Sequence, residues 1–238
     1  MKHTDRAIWF DGVCSAEFGI VVSGEQRFDA PERDIEQLSI PGRNGCLTID
    51  NGRYKNIEIS YNAGIQRDFL EVSQAVRSWL TSPVGYRRFE DSIDPEHFRL
   101  AAFRGPLRFE PGFLCGSATF ALSFDCAPQR FLKSGECPVM LSAPGVLYNS
   151  TAFVSKPLIA VTGRGAGSLT VGGVTVSILS LDGSLTLDCD TQNAYKGHQN
   201  KNNTISALAF PVLSPGENQI SWTGGVTGVE ITPRWWTL

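Results

Sequence analysis

Apolar residues alternate with polar ones along several short stretches of this chain, and this spacing most constrains how it can fold. In residues 116–126 (GSATFALSFDC), Ala118, Phe120, Leu122 and Phe124 occupy every second position. Because successive side chains of a strand point to opposite faces, the stretch predicts a central strand with one buried face. The 24 Gly and 13 Pro residues separate such runs along the whole chain, which favours a mainly β protein.

One stretch, residues 67–83, has a helical pattern instead. Its apolar residues recur every three or four positions, at Phe69, Val72, Val76, Trp79 and Leu80. This spacing places them on one face of an α-helix, which we expect to pack against the sheet. Asp68 stands in the N-cap position with Glu71 three residues later, a variant of the capping box, and Pro83 marks the end.

The stretch IPGRNGCLTIDNGRYKNIEISY, residues 40–61, contains two Asn-Gly pairs. Asn-Gly is a strong signal for a type I′ hairpin turn, so we predict turns at Asn44-Gly45 and at Asn51-Gly52. Leu47 and Ile49 would then share one face of the strand between them. A nucleotide-binding loop is the alternative, but such a loop leads into a helix, and here a strand follows. The glycine cluster GRGAG at 163–167 also precedes a strand-like run, which makes it a predicted turn.

Charge is distributed unevenly along the chain. Only ten of the 45 charged residues (21 Lys or Arg and 24 Asp or Glu) follow Gly145. The change coincides with a Gly-, Pro- and Ser-rich stretch, which predicts a linker at about 133–156 between two domains, 1–138 and 139–238. Short strands at roughly ten-residue spacing in the second half predict an all-β sandwich.

Composition argues against several functional classes. A net charge of -3 with 19% charged residues is typical neither of a nucleic-acid binder nor of an acidic tail. No apolar run approaches the roughly 20 residues that span a bilayer, so we expect no membrane association. The six Cys and three His show no tight spacing, which predicts free thiols and no metal site. We find no catalytic constellation and expect no enzymatic activity and no cofactor.

The order of motifs resembles that of the distal tail protein family, Dit, of bacteriophages with long non-contractile tails. The resemblance rests on WFDGVCSAEFGIVV (9–22), on residues 40–61 and on the helix after them. In the second half it rests on SAPGVLYNSTAFVSKPLIAVTGRGAGSLTV (142–171), where Ala143 replaces the usual Asn, and on LSPGENQISWTGGVTGVEITPRWWTL (213–238).

The resemblance implies a fold and a structural role. The fold is an N-terminal β-rich, split-barrel or sandwich-like domain with one α-helix, followed by a galectin-like β-sandwich. The first domains would form a hexameric ring, single or as two stacked rings, at the end of the tail tube. The ring would join the tube protein to tail-tip or baseplate proteins, and DNA would only pass through its lumen. The protein would be made in the host bacterial cytoplasm and reside in the virion tail.

The resemblance also suggests where contacts lie. Arg43, Asn44, Gly45, Arg53 and Lys55 would form an inter-subunit or lumen turn. The polar loop GHQNKNN (197–203), with His198, Asn200 and Asn202, would face a partner.

A carbohydrate-binding, lectin-like β-sandwich is the alternative function. Galectins bind sugar through His, Asn and Arg residues and a stacked Trp, and the loop 197–203 together with Trp222 supplies similar residue types. These residues do not follow the H-x-N-x-R spacing. We therefore expect Trp222 to contribute to packing.

Overall fold

The computed structural model describes residues 6–23, 30–112 and 116–238. The chain divides into two compact units, one ending at Arg130, to which Leu238 is also assigned, and one from Phe131 to Thr237. Strands dominate both units, which confirms the mainly β class. Within the described residues, no helix is both long and apolar enough to cross a membrane.

The first unit contains one α-helix and a main antiparallel sheet whose strand order differs from the order of the strands in the sequence. Its strands are β1 (Ile8–Phe10), β2 (Val13–Cys14), β3 (Ile20–Ser23), β4 (Arg33–Ser39), β5 (Cys46–Tyr54), β6 (Ile57–Ile65), β7 (Arg87–Asp91), β8 (His97–Phe103), β9 (Phe109–Pro111) and β10 (Ala118–Leu132). In the main sheet the order is β2-β1-β7-β8-β10-β6-β3, and β9 also pairs with β10. Strands β4 and β5 form a separate two-stranded sheet.

The core of the first unit confirms both main patterns in the sequence. Every second residue of β10 from Ala118 to Phe124 is buried, and β10 lies between β8 and β6. Helix α1 (Phe69–Thr81) buries Val76, Trp79 and Leu80 in the same core. The Trp79 indole also donates a hydrogen bond to the Phe10 carbonyl oxygen at 3.0 Å, which ties the helix to β1.

The predicted N-cap is right in position and wrong in mechanism. Asp68 adopts a left-handed conformation, with φ of 54°, and its side chain makes no capping hydrogen bond. Its carbonyl oxygen accepts the Val72 N–H at 3.0 Å. The backbone of Asp68 therefore begins the helix, whereas a capping carboxylate requires an extended N-cap residue.

The second unit is built from antiparallel strands around one core. Its strands are β11 (Val139–Leu141), β12 (Gly145–Asn149), β13 (Leu158–Val171), β14 (Val174–Asp188), β15 (Asn193–Lys196), β16 (Gln199–Asn200), β17 (Ile205–Ser206), β18 (Gly216–Thr232) and β19 (Trp236–Thr237). The order is β11-β18-β13-β14-β15-β16, with β12 also on β18 and β17 also on β14. Because β11 and β12 lie within residues 133–156, much of the predicted linker is instead part of this sheet.

Glycine residues allow one long strand to bend, so that both of its halves pack into the same core. Residues 163–167, predicted as a turn, lie inside β13, where its register with β18 shifts. Buried residues flank the bend, Ile159 and Val161 before it and Leu169 and Val171 after it, and all belong to one core. The short strands predicted on either side are therefore one long strand that curls the sheet around its own core.

The last residues of the second unit are held by polar contacts. Arg234 donates to Asp188 at 2.6 Å, and the Ser155 hydroxyl donates to the Pro233 carbonyl oxygen at 2.8 Å. Burial alone would raise the pKa of Asp188, but the hydrogen bond and positive charge of Arg234 outweigh it and leave that pKa below its ordinary value. The ion pair therefore links folding of this unit to pH.

Asp188→Asn should lower the free energy of unfolding by up to about 1 kcal/mol at neutral pH. The folded pKa of Asp188 lies below the unfolded value of about 3.9, so its contribution is complete above that value and is lost as pH falls through the folded pKa. The difference from wild type should therefore shrink at about pH 2. Urea denaturation at both pH values measures it.

Asp182→Asn is the control for this prediction. The Asp182 side chain is 87% exposed and lies 3.8 Å from Lys196, so its replacement should leave stability close to wild type. A deficit in Asp188→Asn that is equally large at both pH values would contradict the assignment to the ionised carboxylate.

Candidate functional site

The hairpin of β4 and β5 is the most unusual feature of the first unit. The two strands pair with each other, with Leu38 opposite Leu47 and Glu36 opposite Ile49. In the described part of the chain, no third strand pairs with either of them. An isolated two-stranded hairpin is at best marginally stable in water, so this one needs support from elsewhere.

One face of the hairpin is apolar and exposed. Directly opposed residues share a face, so Leu38, Leu47 and Ile49 lie together beside Glu36, while Gln37 and Thr48 lie on the other face. Leu38 is 50% exposed, and Leu47 and Ile49 are each 40% exposed. We call Leu38, Leu47 and Ile49 the apolar hairpin face. An exposed apolar cluster is typical of an interaction surface.

Ion pairs fix the base of the hairpin. Arg33 donates to Asp50 at 2.7 Å and Arg53 donates to Asp34 at 2.6 Å, so each pair joins the two strands. The Gly52 N–H and the Arg33 guanidinium lower the pKa of Asp50, and the hydrogen bond from Arg53 lowers the pKa of Asp34. These groups are well solvated, so the pairs set register more than they stabilise.

The predicted turn residues fall into two groups. Arg43, Asn44 and Gly45 lie in the tip loop 40–45, whereas Arg53 and Lys55 lie at the base. The intervening strand β5 separates the groups by roughly 30 Å at 3.3 Å per residue. Lys55 pairs with Glu32 at 3.3 Å, and Arg53 is paired as well. Arg43 makes no ion pair with any described residue, which leaves it as the cation at the tip.

Neither Asn-Gly pair forms the predicted type I′ turn. At the tip Gly42 and Gly45 both have φ of 80°, while Asn44 is not in the positive-φ region, which a type I′ turn would require of both residues. Asn51-Gly52 lies inside β5, where the register shifts so that residues 51–53 face Asp34 alone. The second pair is therefore a bulge, whose positive φ of 70° at Gly52 suits glycine.

Of the predicted partner-facing residues in the second unit, two have structural roles. The Asn202 carboxamide accepts the Ala194 N–H at 2.6 Å and donates to Asn193 at 2.8 Å. The Asn200 side chain accepts the Asn202 N–H at 3.0 Å. His198 is exposed at the turn between β15 and β16, so it alone of the three keeps its side chain available.

Metal-binding and reactive groups are scarce in the described residues. These contain no group of three or more His, Cys, Asp or Glu side chains that could hold a metal ion. Five cysteines are free thiols, and Cys115 lies outside the described residues. Burial raises the pKa of Cys126 and of Cys189 to about 12. Thiols with such pKa values are poor nucleophiles.

Sequence comparisons identify no relative. No protein-family model matches the chain, and no curated protein matches its sequence.

Comparison of structures gives a different result. The Dit protein (gp 19.1) of phage SPP1, described as a paradigm of the hub adsorption apparatus in phages that infect Gram-positive hosts, matches with a TM-score of 0.76 at 14% identity, covering 98% of this chain and 99% of that chain. A chain of the phage p2 baseplate in its activated conformation with Ca matches with a TM-score of 0.51 at 5% identity, covering 95% and 96%. The Sr form of that baseplate gives 0.51 at 7% identity, covering 94% and 97%. Over nearly its whole length, the chain has the fold of the phage distal tail protein, Dit.

Proposed function

We propose that this chain is a structural component of a phage tail and forms a hexameric ring at the distal end of the tail tube. The apolar hairpin face is the observation that carries the proposal. This face belongs to the β4–β5 hairpin, whose base is fixed by ion pairs. In the described chain no third strand pairs with the hairpin. The fold shared with SPP1 Dit supports the same role.

A ring needs head-to-tail contacts, in which each subunit presents two different complementary surfaces. The hairpin supplies one such surface, and a neighbouring subunit covers its apolar face. Arg43 at the tip supplies an unpaired charge that can orient the contact. Closure therefore depends mainly on residues 1–138, and the second domain, 139–238, faces tail-tip or baseplate proteins.

The ring joins the tail tube to the host-recognition apparatus, and DNA crosses its lumen only during ejection. Single and two stacked rings both fit this role. The protein resides in the virion tail after synthesis in the bacterial cytoplasm.

Purified full-length protein should therefore form rings with six-fold symmetry. Negative-stain electron microscopy shows the symmetry, and light scattering gives a mass of six or twelve subunits. Mass should rise with protein concentration, because assembly obeys mass action. A chain that stays monomeric at every concentration tested, or that forms rings of another symmetry, would overturn the proposal.

A further inference from the structure

The second unit contains a polar cleft. It has a volume of about 740 Å³, which is within the range of small-molecule sites. Its lining residues come from the middle of β14, among them Asp182 and Ser184, and from the segment 196–204, among them Lys196, His198 and Lys201. Hydroxyl, amide and charged groups dominate this lining, and Leu185 is its buried apolar residue.

Interrupted strand pairing forms the cleft. Along one edge, β14 pairs with β17 at Ser177 and Ile178 and with β15 from Thr186 to Asp188. In the described chain no strand pairs with the residues between these points on that edge. The Asp182 carbonyl oxygen in this interval accepts a hydrogen bond from Lys196, and the other backbone groups on this edge of β14 are open to a ligand, as they are wherever a sheet edge is unpaired.

A tight turn places His198 at the rim. Lys196 pairs with Gln199, which leaves Gly197 and His198 as a two-residue hairpin loop. Gly197 has φ of 58°, the conformation that the first position of a type II′ turn requires and that glycine adopts without strain. The cleft rim is therefore set by turn geometry, and the side chain of His198 is not needed to hold it.

The cleft carries more positive than negative groups. Asp182 is its single carboxylate, and Lys196 lies 3.8 Å from that carboxylate while also donating to the Asp182 carbonyl oxygen. Lys201 makes no ion pair with any described residue, although its backbone is fixed by hydrogen bonds to Ala194 and Thr204. Lys201 lines the cleft together with the hydroxyl-bearing residues Ser180, Ser184 and Thr204, and an unpaired ammonium group favours an anionic ligand.

We propose that this cleft binds a small anion that carries hydroxyl groups, which is the chemistry shared by sugar phosphates and acidic sugars. The unpaired ammonium of Lys201 binds the anionic group. Ser180, Ser184 and Gln199 supply partners for the hydroxyl groups. A neutral sugar fits less well, because the described lining contains no Phe, Tyr or Trp ring on which such ligands commonly stack.

Isothermal titration of the full-length chain with glucose 6-phosphate tests the site. We expect saturable binding that weakens as salt is added. Glucuronate should bind through the same groups, inorganic phosphate should bind about tenfold more weakly because it lacks the hydroxyl contacts, and glucose should not bind. Equal affinity for glucose and glucose 6-phosphate would overturn the anionic requirement, and equal affinity for inorganic phosphate would overturn the hydroxyl requirement.

Lys201→Gln should weaken glucose 6-phosphate binding about tenfold or more, and Lys201→Arg should retain most of it. Arg164→Gln removes one exposed positive charge from the same unit outside the cleft and is the matched control, with affinity within about twofold of wild type. Light scattering of all variants should match wild type. Loss of binding in Arg164→Gln as well, or unchanged binding in Lys201→Gln, would place the ligand elsewhere. No binding of any of the anions would overturn the proposal.

Discussion

Gly225→Ala should destabilise the second unit by on the order of 3 kcal/mol or more. A Cβ atom at this position would lie 1.9 Å from the Arg164 carbonyl oxygen, and a Cβ at Gly163 would lie 2.0 Å from the Gly225 carbonyl oxygen. Both neighbours are backbone atoms, so a rotamer change cannot relieve the overlap. Strands β13 and β18 would have to separate where the sheet bends, which disrupts packing on both sides of the bend.

Urea denaturation of the full-length protein measures the loss, and hydrogen exchange should place the loss of protection in β13 and β18. Gly145→Ala is the matched control in the same unit. Its added Cβ would meet the nearest atom, the Leu141 Cδ2, at 3.6 Å, which is an ordinary contact. Equal stability of the two variants would show that the strands can move apart at little cost.

Leu47→Glu should prevent the ring from forming and leave each subunit folded. The substitution places a carboxylate in the middle of the apolar hairpin face, and burying an unpaired charge in an interface is costly. We expect the dissociation constant of the ring to rise at least about hundredfold. Light scattering should then report monomers at concentrations where wild type forms hexamers, and circular dichroism should be unchanged.

Thr48→Glu is the control for this result. Thr48 is the next residue along β5 and lies on the opposite face of the hairpin, so the change adds the same charge at nearly the same distance from the tip. Rings should still form. Loss of rings in both variants would show that both hairpin faces are covered, and rings in both would place the subunit contact elsewhere.

Much of the fold was predictable because burial is encoded in periodicity. Strand β10 and helix α1 each bury the face that their spacing predicts. Helix α1 forms within the predicted residues 67–83, whereas β10 continues beyond the predicted end at Cys126 to Leu132. The long strands β13 and β14 were not predicted as single elements. Glycine clusters mark both turns and bends, and the difference depends on whether another backbone lies within contact distance, as at Gly225. That distance depends on residues far apart in sequence.

The candidate site was predictable only in part. The sequence correctly indicates strand structure around Leu47 and Ile49. However, the alternation of apolar and polar residues does not show whether the apolar face of a strand will be covered by the same chain. Arg43 and Arg53 are close in sequence, but most of strand β5 lies between them, so they are at opposite ends of the hairpin. Their inter-subunit or lumen role stays a prediction. At Asn51-Gly52, the positive φ of Gly52 belongs to a β-bulge and not to a turn. Both conformations favour the same dipeptide, so the sequence does not distinguish them.

Strand β18 has a consequence for how the protein is synthesised. It pairs with β11, β12 and β13, yet it lies at residues 216–232, well after all three of them in sequence. These three earlier strands therefore leave the ribosome long before their shared partner does. Contacts so distant in sequence form slowly and expose strand edges in the meantime. The second unit should thus complete its folding only once β18 has emerged, whereas β1 to β3 and β6 to β10, which form most of the main sheet in the first unit, have all emerged by Leu132.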